Sequence, residues 1–281
     1  MLSYGRVSRA SMVALVAWGI VGCRSIQPIN WGGHHHVNDR AARLLAKMKQ
    51  AHGGEAWHSS TAIEFVAEID FDPLQARHRF VWDVAGGRVL CEDADGGPLQ
   101  MGFDGQVAWI APASEAQEFP APPRYHVLMW PFLLGAPFKL NDPGTRLEYI
   151  GRHDVDDIAY EVVRISFDPG AGDTPSDWFM AYLHPRTQRL ELLRYVTTYP
   201  GVSRPGREHI IRFSDFIDED GLTIAREWSF HLARNTGGLG KRIGRARISG
   251  GVQTANIFDR RGFFEPPSGA ITIPRPILTS D

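Results

Sequence analysis

The chain has 281 residues, 43% hydrophobic and 22% charged, a composition that excludes wholesale disorder. Its formal net charge of −2 argues against a nucleic-acid binder, which needs a basic surplus to neutralise phosphates. The 29 glycines and 19 prolines suit many short strands joined by tight turns.

Residues 1–22 read as an export signal: Arg6 and Arg9 lead, and residues 12–21 (MVALVAWGIV) form an apolar core too short to stay as a spanning helix. The signal ends in Ile20-Val21-Gly22-Cys23, which resembles the bacterial lipobox. The resemblance implies that Cys23 takes a diacylglyceryl group on its sulfur and becomes the mature N-terminus. A plain secretory signal with an accidental cysteine is the alternative. Each buried methylene contributes about 0.8 kcal/mol, so two or three acyl chains would hold the protein at a membrane. Arg24, rather than Asp, follows the cysteine; in bacteria with two membranes, resemblance to known sorting rules then implies the outer membrane, with the face occupied left open, whereas a Gram-positive host would change that. No later segment has transmembrane length, so the body is expected to be soluble. With Cys23 alkylated, Cys91 has no disulfide partner and reads as a buried, inert thiol on a strand.

Residues 23–37 form a lipidated tether carrying His34, His35 and His36. Adjacent histidines chelate weakly, but a structural metal site needs fixed geometry and four ligands, so no metal is expected. Residues 38–52 give the clearest helix, with Ala41, Leu44, Leu45 and Met48 on one face, an N-cap at Asn38 or Asp39, and Gly53-Gly54 as its stop. His52 and His58 flank that stop and read as loosely held.

Strands follow. Ile63, Phe65, Ala67, Ile69 and Phe71 alternate with polar neighbours, the pattern of a half-buried strand. Further strands are expected over residues 76–84 and 89–91, and Asp104-Gly105 reads as a hairpin turn into Val107-Ala108-Trp109-Ile110. Residues 112–123 read as a loop. Residues 124–140 are the densest apolar stretch of the exported chain, interrupted by Pro131, Gly135 and Pro137, and read as a plug or lid inside a curved sheet. Strands resume over 147–151, 158–167, 178–184, 190–198, 209–217, 222–233 and 246–258. With no compositional break, residues 38–264 form one domain, followed by a Pro-rich tail over 265–281 that is an extended edge or loose.

Five segments then carry a resemblance. They are His52-Gly-Gly, Trp57, Asp104-Gly-x-x-Ala-Trp109, Pro137-Phe-Lys-Leu-Asn-Asp-Pro-Gly144, and Asp173-Thr-Pro-Ser-Asp177-Trp-Phe with His184-Pro-Arg-Thr187. Together they resemble a family of exported bacterial proteins of unknown function and, more remotely, the lipoprotein-localisation (Lol) carriers, over most of residues 38–260. The resemblance implies a mainly β (α+β) fold: a strongly curved antiparallel sheet, an incomplete barrel, wrapped around helices and an apolar cavity that in those carriers takes acyl chains. Unlike most of them, this chain carries its own anchor, and the protruding apolar loop of the anchored member has no clear match.

No catalytic motif is present. The run Gly237-Gly-Leu-Gly-Lys241 lacks the first glycine of a phosphate loop and has Arg242 where Ser or Thr should stand. Asp173 and Asp177 read as a turn cap and a strand start rather than paired catalytic carboxylates. The expected function is therefore a lipid-anchored envelope protein, without cofactor and not an enzyme, that binds an acyl chain or lipoprotein lipid. Val127, Met129, Trp130, Phe132, Leu133 and Phe138 are its candidate cavity or lid residues. Plain core packing is the competing role for each of them. The rival functions are an envelope scaffold or complex subunit without a pocket and, further off, a hydrolase.

Overall fold

The computed structural model describes residues 39–234, 237–254 and 262–277. The expected signal peptide, the expected tether with its candidate lipidation site Cys23, and the end of the strand expected over 246–258 lie outside the described residues.

The amphipathic pattern after residue 38 forms α1 (Asp39–Ala51), and its apolar residues Ala41, Leu44, Leu45 and Met48 are all buried. It stops at Gly53, whose φ of 87° suits glycine, and α2 (Gly54–Ser59) follows at once. A Cβ on Gly53 would lie 2.0 Å from the carbonyl oxygen of Gly221, so this turn fits directly against the hairpin at residues 219–222. His52, expected to be loosely held, is instead buried. Leu190 N–H donates to its Nε2 (3.0 Å), and its Nδ1 lies 2.7 Å from the carbonyl oxygen of Thr223. Because Nε2 accepts, Nδ1 carries the proton and donates, which fixes a neutral imidazole. Burial lowers its pKa to about 4.

Five strands run outward from there: β1 (Ala62–Phe71), β2 (Gln75–Asp83), β3 (Arg88–Asp93), β4 (Gln100–Phe103) and β5 (Ala108–Ala111). Three helical pieces come next: α3 (Glu115–Glu118), inside the segment expected to be loop, then α4 (Pro123–Leu134) and α5 (Ala136–Lys139). The second half is a meander of β6 (Thr145–Val155), β7 (Ile158–Phe167), β8 (Trp178–Leu183), β9 (Leu190–Val196), β10 (His209–Glu219), β11 (Leu222–Ala233) and β12 (Leu239–Thr254). Finally β13 (Ile271–Ile273) pairs with β5 at the rim, which makes this part of the Pro-rich tail an edge strand.

All strands join one antiparallel sheet in the order β13-β5-β4-β3-β2-β1-β12-β11-β10-β9-β8-β7-β6. The two meanders meet at its centre, where β1 pairs with β12 through Ile69 opposite Ala246. The ends, β13 and β6, do not pair with each other, so the curved sheet stays unclosed, as expected of an incomplete barrel. The main core lies between one face of the sheet and the helices, and gathers Leu45 and Met48 of α1, Trp130 of α4 and Phe138 of α5 over Phe65, Phe80, Trp228 and Phe230. Burial of such side chains contributes about 1.5–3 kcal/mol each. The opposite face carries smaller clusters, one of them closed by Phe264, whose carbonyl accepts a hydrogen bond from the Trp109 indole (2.9 Å).

Candidate ligand-binding cavity

Residues 124–134, read from sequence as a plug or lid, are the helix α4. Pro123 opens it where a missing N–H does no harm, and Pro131 removes one bond from its last turn. Gly135 ends it. A Cβ there would meet the rings of Trp82 and Trp57 at 2.7 and 2.9 Å, so only glycine lets these indoles close under the helix end.

Helical periodicity sorts the apolar residues of this stretch. Val127 and Trp130 are sealed in the core, with Trp130 stacked on Trp228 at 5.9 Å and 13°. Phe138 of α5 is sealed as well, stacked on Trp57 at 4.2 Å and 9°. Leu128, Met129 and Phe132 are only half-buried, because with Leu133 they face a cavity of about 490 Å³. Its other walls come from both halves of the sheet: Trp82, Val89 and Phe103 on one side, Phe167, Phe179, Tyr195 and Ile211 on the other. Of the six candidates read from sequence, Met129, Phe132 and Leu133 line the cavity. Val127, Trp130 and Phe138 do not.

One end of the cavity is polar. Arg124, buried at the start of α4, donates through Nε and Nη2 to the two carboxylate oxygens of Asp173 (2.6 and 3.0 Å), tying the helix to the loop between β7 and β8. Arg275 approaches the same carboxylate at 3.4 Å. Asp173 is thus an ion-pair partner rather than a turn cap. Asp177 accepts hydrogen bonds from the hydroxyls of Thr174 (2.7 Å) and Thr198 (2.8 Å) and from the Thr198 amide, and burial raises its pKa. Tyr125, Tyr195 and Tyr199 line the same end, with the rings of Tyr125 and Tyr199 5.1 Å apart. Sequence reading did not single out these tyrosines or Arg124. They come from α4 and from the segment spanning β9 and Thr197–Tyr199, and no motif links them.

A second cluster was also invisible in the sequence. His78 of β2, Cys91 of β3 and His126 of α4 are buried with their ligating atoms within 4.8 Å of one another. The residue types suit a soft metal, but the proton positions do not. The indole of Trp130 can only donate, and it donates to His126 Nδ1 (3.2 Å). His126 Nε2 therefore carries the proton and donates to His78 Nδ1 at 3.0 Å. A metal on Nε2 would move that proton to Nδ1, directly against the Trp130 N–H. Burial also pushes the Cys91 thiol up and lowers the pKa of His78, to about 4, and of His126. Trp130, His126 and His78 form a hydrogen-bonded chain of neutral groups inside the core, with the Cys91 thiol beside it.

Residues 124–217 match a family of unknown function, DUF6503. This segment runs from α4 to β10 and includes Arg124, Asp173, Asp177 and all three tyrosines, but it is narrower than the 38–260 over which motifs were read. No curated protein matches the chain. Among solved structures, a LolA superfamily protein from Nitrosomonas europaea aligns over 77% of this chain and 94% of its own, at 10% identity and a TM-score of 0.52. A Vibrio parahaemolyticus domain described as an outer membrane lipoprotein-sorting protein domain aligns over 80% of this chain and 96% of its own, at 10% identity and a TM-score of 0.50. The fold is LolA-like.

Proposed function

We propose that this chain is an envelope protein, anchored through a lipid on Cys23, that shelters an acyl chain or similar apolar ligand between α4 and the curved sheet. The observation that carries the reading is the open cavity of about 490 Å³ beside a core already filled by Trp130, Trp228 and Phe138. Ligand sites of small proteins are apolar clefts of roughly 300–1,000 Å³ with a few fixed polar groups, and this cavity has that size and lining. Its LolA-like fold supports the same reading, since one structural relative is described as a lipoprotein-sorting domain. The lipobox-like run Ile20-Val21-Gly22-Cys23 supports the anchor and an outer-membrane location.

The protein acts as a binder, not as an enzyme. Asp173 is held by Arg124 and Asp177 by two threonines, an arrangement that fixes carboxylates rather than freeing a base. Native purification followed by lipid mass spectrometry tests the function. About one apolar ligand per chain is expected, displaced by a fluorescent acyl probe. Recovery of none, together with no uptake of the probe, would overturn it.

A further inference from the structure

One carboxylate of the cavity lining has no cation paired with it among the described residues. The lining carries two cations, Arg124 and Lys139, and three carboxylates, Asp142, Asp173 and Asp177. Arg124 is paired with Asp173, which Arg275 also approaches at 3.4 Å, and Lys139 is paired with Asp142. That leaves Asp177, whose partners are neutral donors: the hydroxyls of Thr174, Thr197 and Thr198 and the Thr198 amide. Among the described residues no cation pairs with it. Hydrogen bonds offset part of the cost of drawing this carboxylate away from water, and a cationic ligand group would offset more. An anionic head, carboxylate or phosphate, would enter beside this carboxylate and find Arg124, Arg275 and Lys139 already engaged with Asp173 and Asp142.

The surrounding rings add the second element. Aromatic faces attract ammonium groups, and a carboxylate among them makes the attraction specific. Resting on the acyl-chain reading above, we propose that the cavity takes a single-chain amphiphile with an ammonium head, seated at Asp177 beside the rings of Tyr125 and Tyr199, its tail along Leu128, Met129 and Phe132. The field of Asp177 reaches the rings: the phenols of Tyr125 and Tyr195 are pushed up, first by burial and then by neighbouring charge that includes this carboxylate. The relation of head to tail is set by α4, which carries Tyr125 at its polar end and Leu128, Met129 and Phe132 along the apolar wall.

The test is to measure the affinity of the full mature chain for four probes of one chain length, below their micelle concentrations: dodecylamine, dodecyltrimethylammonium, dodecanol and dodecanoate. The two ammonium probes are expected to bind about tenfold more tightly than dodecanol, with dodecanoate weakest. In Asp177→Asn the gap between the ammonium probes and dodecanol should close while dodecanol affinity holds. Dodecanoate or dodecanol binding as tightly as the ammonium probes in the unmutated chain would overturn the head assignment and leave the acyl-chain cavity standing. Binding of none of the four would overturn both. The ranking in the unmutated chain decides without the variant, should Asp177→Asn fail to fold.

Discussion

Arg124 and Asp173 meet through two parallel hydrogen bonds, of 2.6 and 3.0 Å, with the guanidinium almost wholly removed from water. The pair is the clasp between α4 and the loop that forms one cavity wall. Removing one partner of a buried pair leaves the other uncompensated, at a cost of about 3–5 kcal/mol. Asp173 retains slight exposure and the approach of Arg275, so the lower end applies to Arg124→Ala. A fall in thermal midpoint with faster release of a bound probe is expected. Arg124→Lys should recover little, because an ammonium cannot reproduce the fork. Full recovery by lysine would show that charge alone matters.

Neighbours on α4 should behave oppositely. Trp130→Ala opens a void in the core and should lower stability by about 3–5 kcal/mol. Met129→Trp places bulk in the cavity instead, so stability should change by no more than about 1 kcal/mol while probe uptake is lost. Urea denaturation and a probe titration of each variant separate the two effects. Equal destabilisation by both would mean that the helix faces are wrongly assigned.

Gly53→Ala should be among the most damaging single-methyl additions in the chain. It forces a side chain into the left-handed region at φ 87° and drives a Cβ against the Gly221 carbonyl. Strain of this kind costs about 1–3 kcal/mol before the clash is counted. Unchanged thermal unfolding would contradict the close approach of the α1–α2 turn to the β10–β11 hairpin.

Stability should depend on pH through His52 and His78, both held at about 4 in the folded chain. Unfolded histidines titrate near 6.5, so between these values the unfolded state binds protons that the folded state refuses. Stability is therefore full above pH 6.5 and falls as pH drops towards 4, by roughly 3 kcal/mol per histidine. Below about 4 the two contribute no further slope. Denaturation midpoints at pH 7.5 and 4.5 should show the loss, and the difference should shrink in His52→Gln. An unaltered difference in that variant would assign the acid sensitivity elsewhere.

If the proposed anchor is on Cys23, radiolabelled palmitate should be incorporated by the chain but not by Cys23→Ala. Label retained in the variant would move the lipid to another residue or abolish the anchor reading.

Much of the scaffold was legible because its signals are local. The four buried residues of α1 recur every three or four positions, and Ile63, Phe65, Ala67 and Ile69 alternate along β1, so each pattern names its own face. Residues 124–134 carry no such period. They are apolar on nearly every side, because one face of α4 meets the core and the other meets the cavity. That is why Met129 could not be told from Trp130, nor Phe132 from Val127, before the helix was seen. Arg124 with Asp173, and Tyr125 with Tyr195, are joined only by folding, as are His78, Cys91 and His126. His52 was misjudged for the same reason: its partners, Leu190 and Thr223, lie far along the chain, and two glycines follow it directly.

The pairing of β1 with β12 has a consequence in time. Residues 62–71 are made early, yet the strand they need at the middle of the sheet spans residues 239–254. Until almost the whole chain has emerged, each meander shows a bare inner edge, open to pairing with other chains. The cavity, walled by strands of both meanders, is complete only once the first strand and the twelfth have joined.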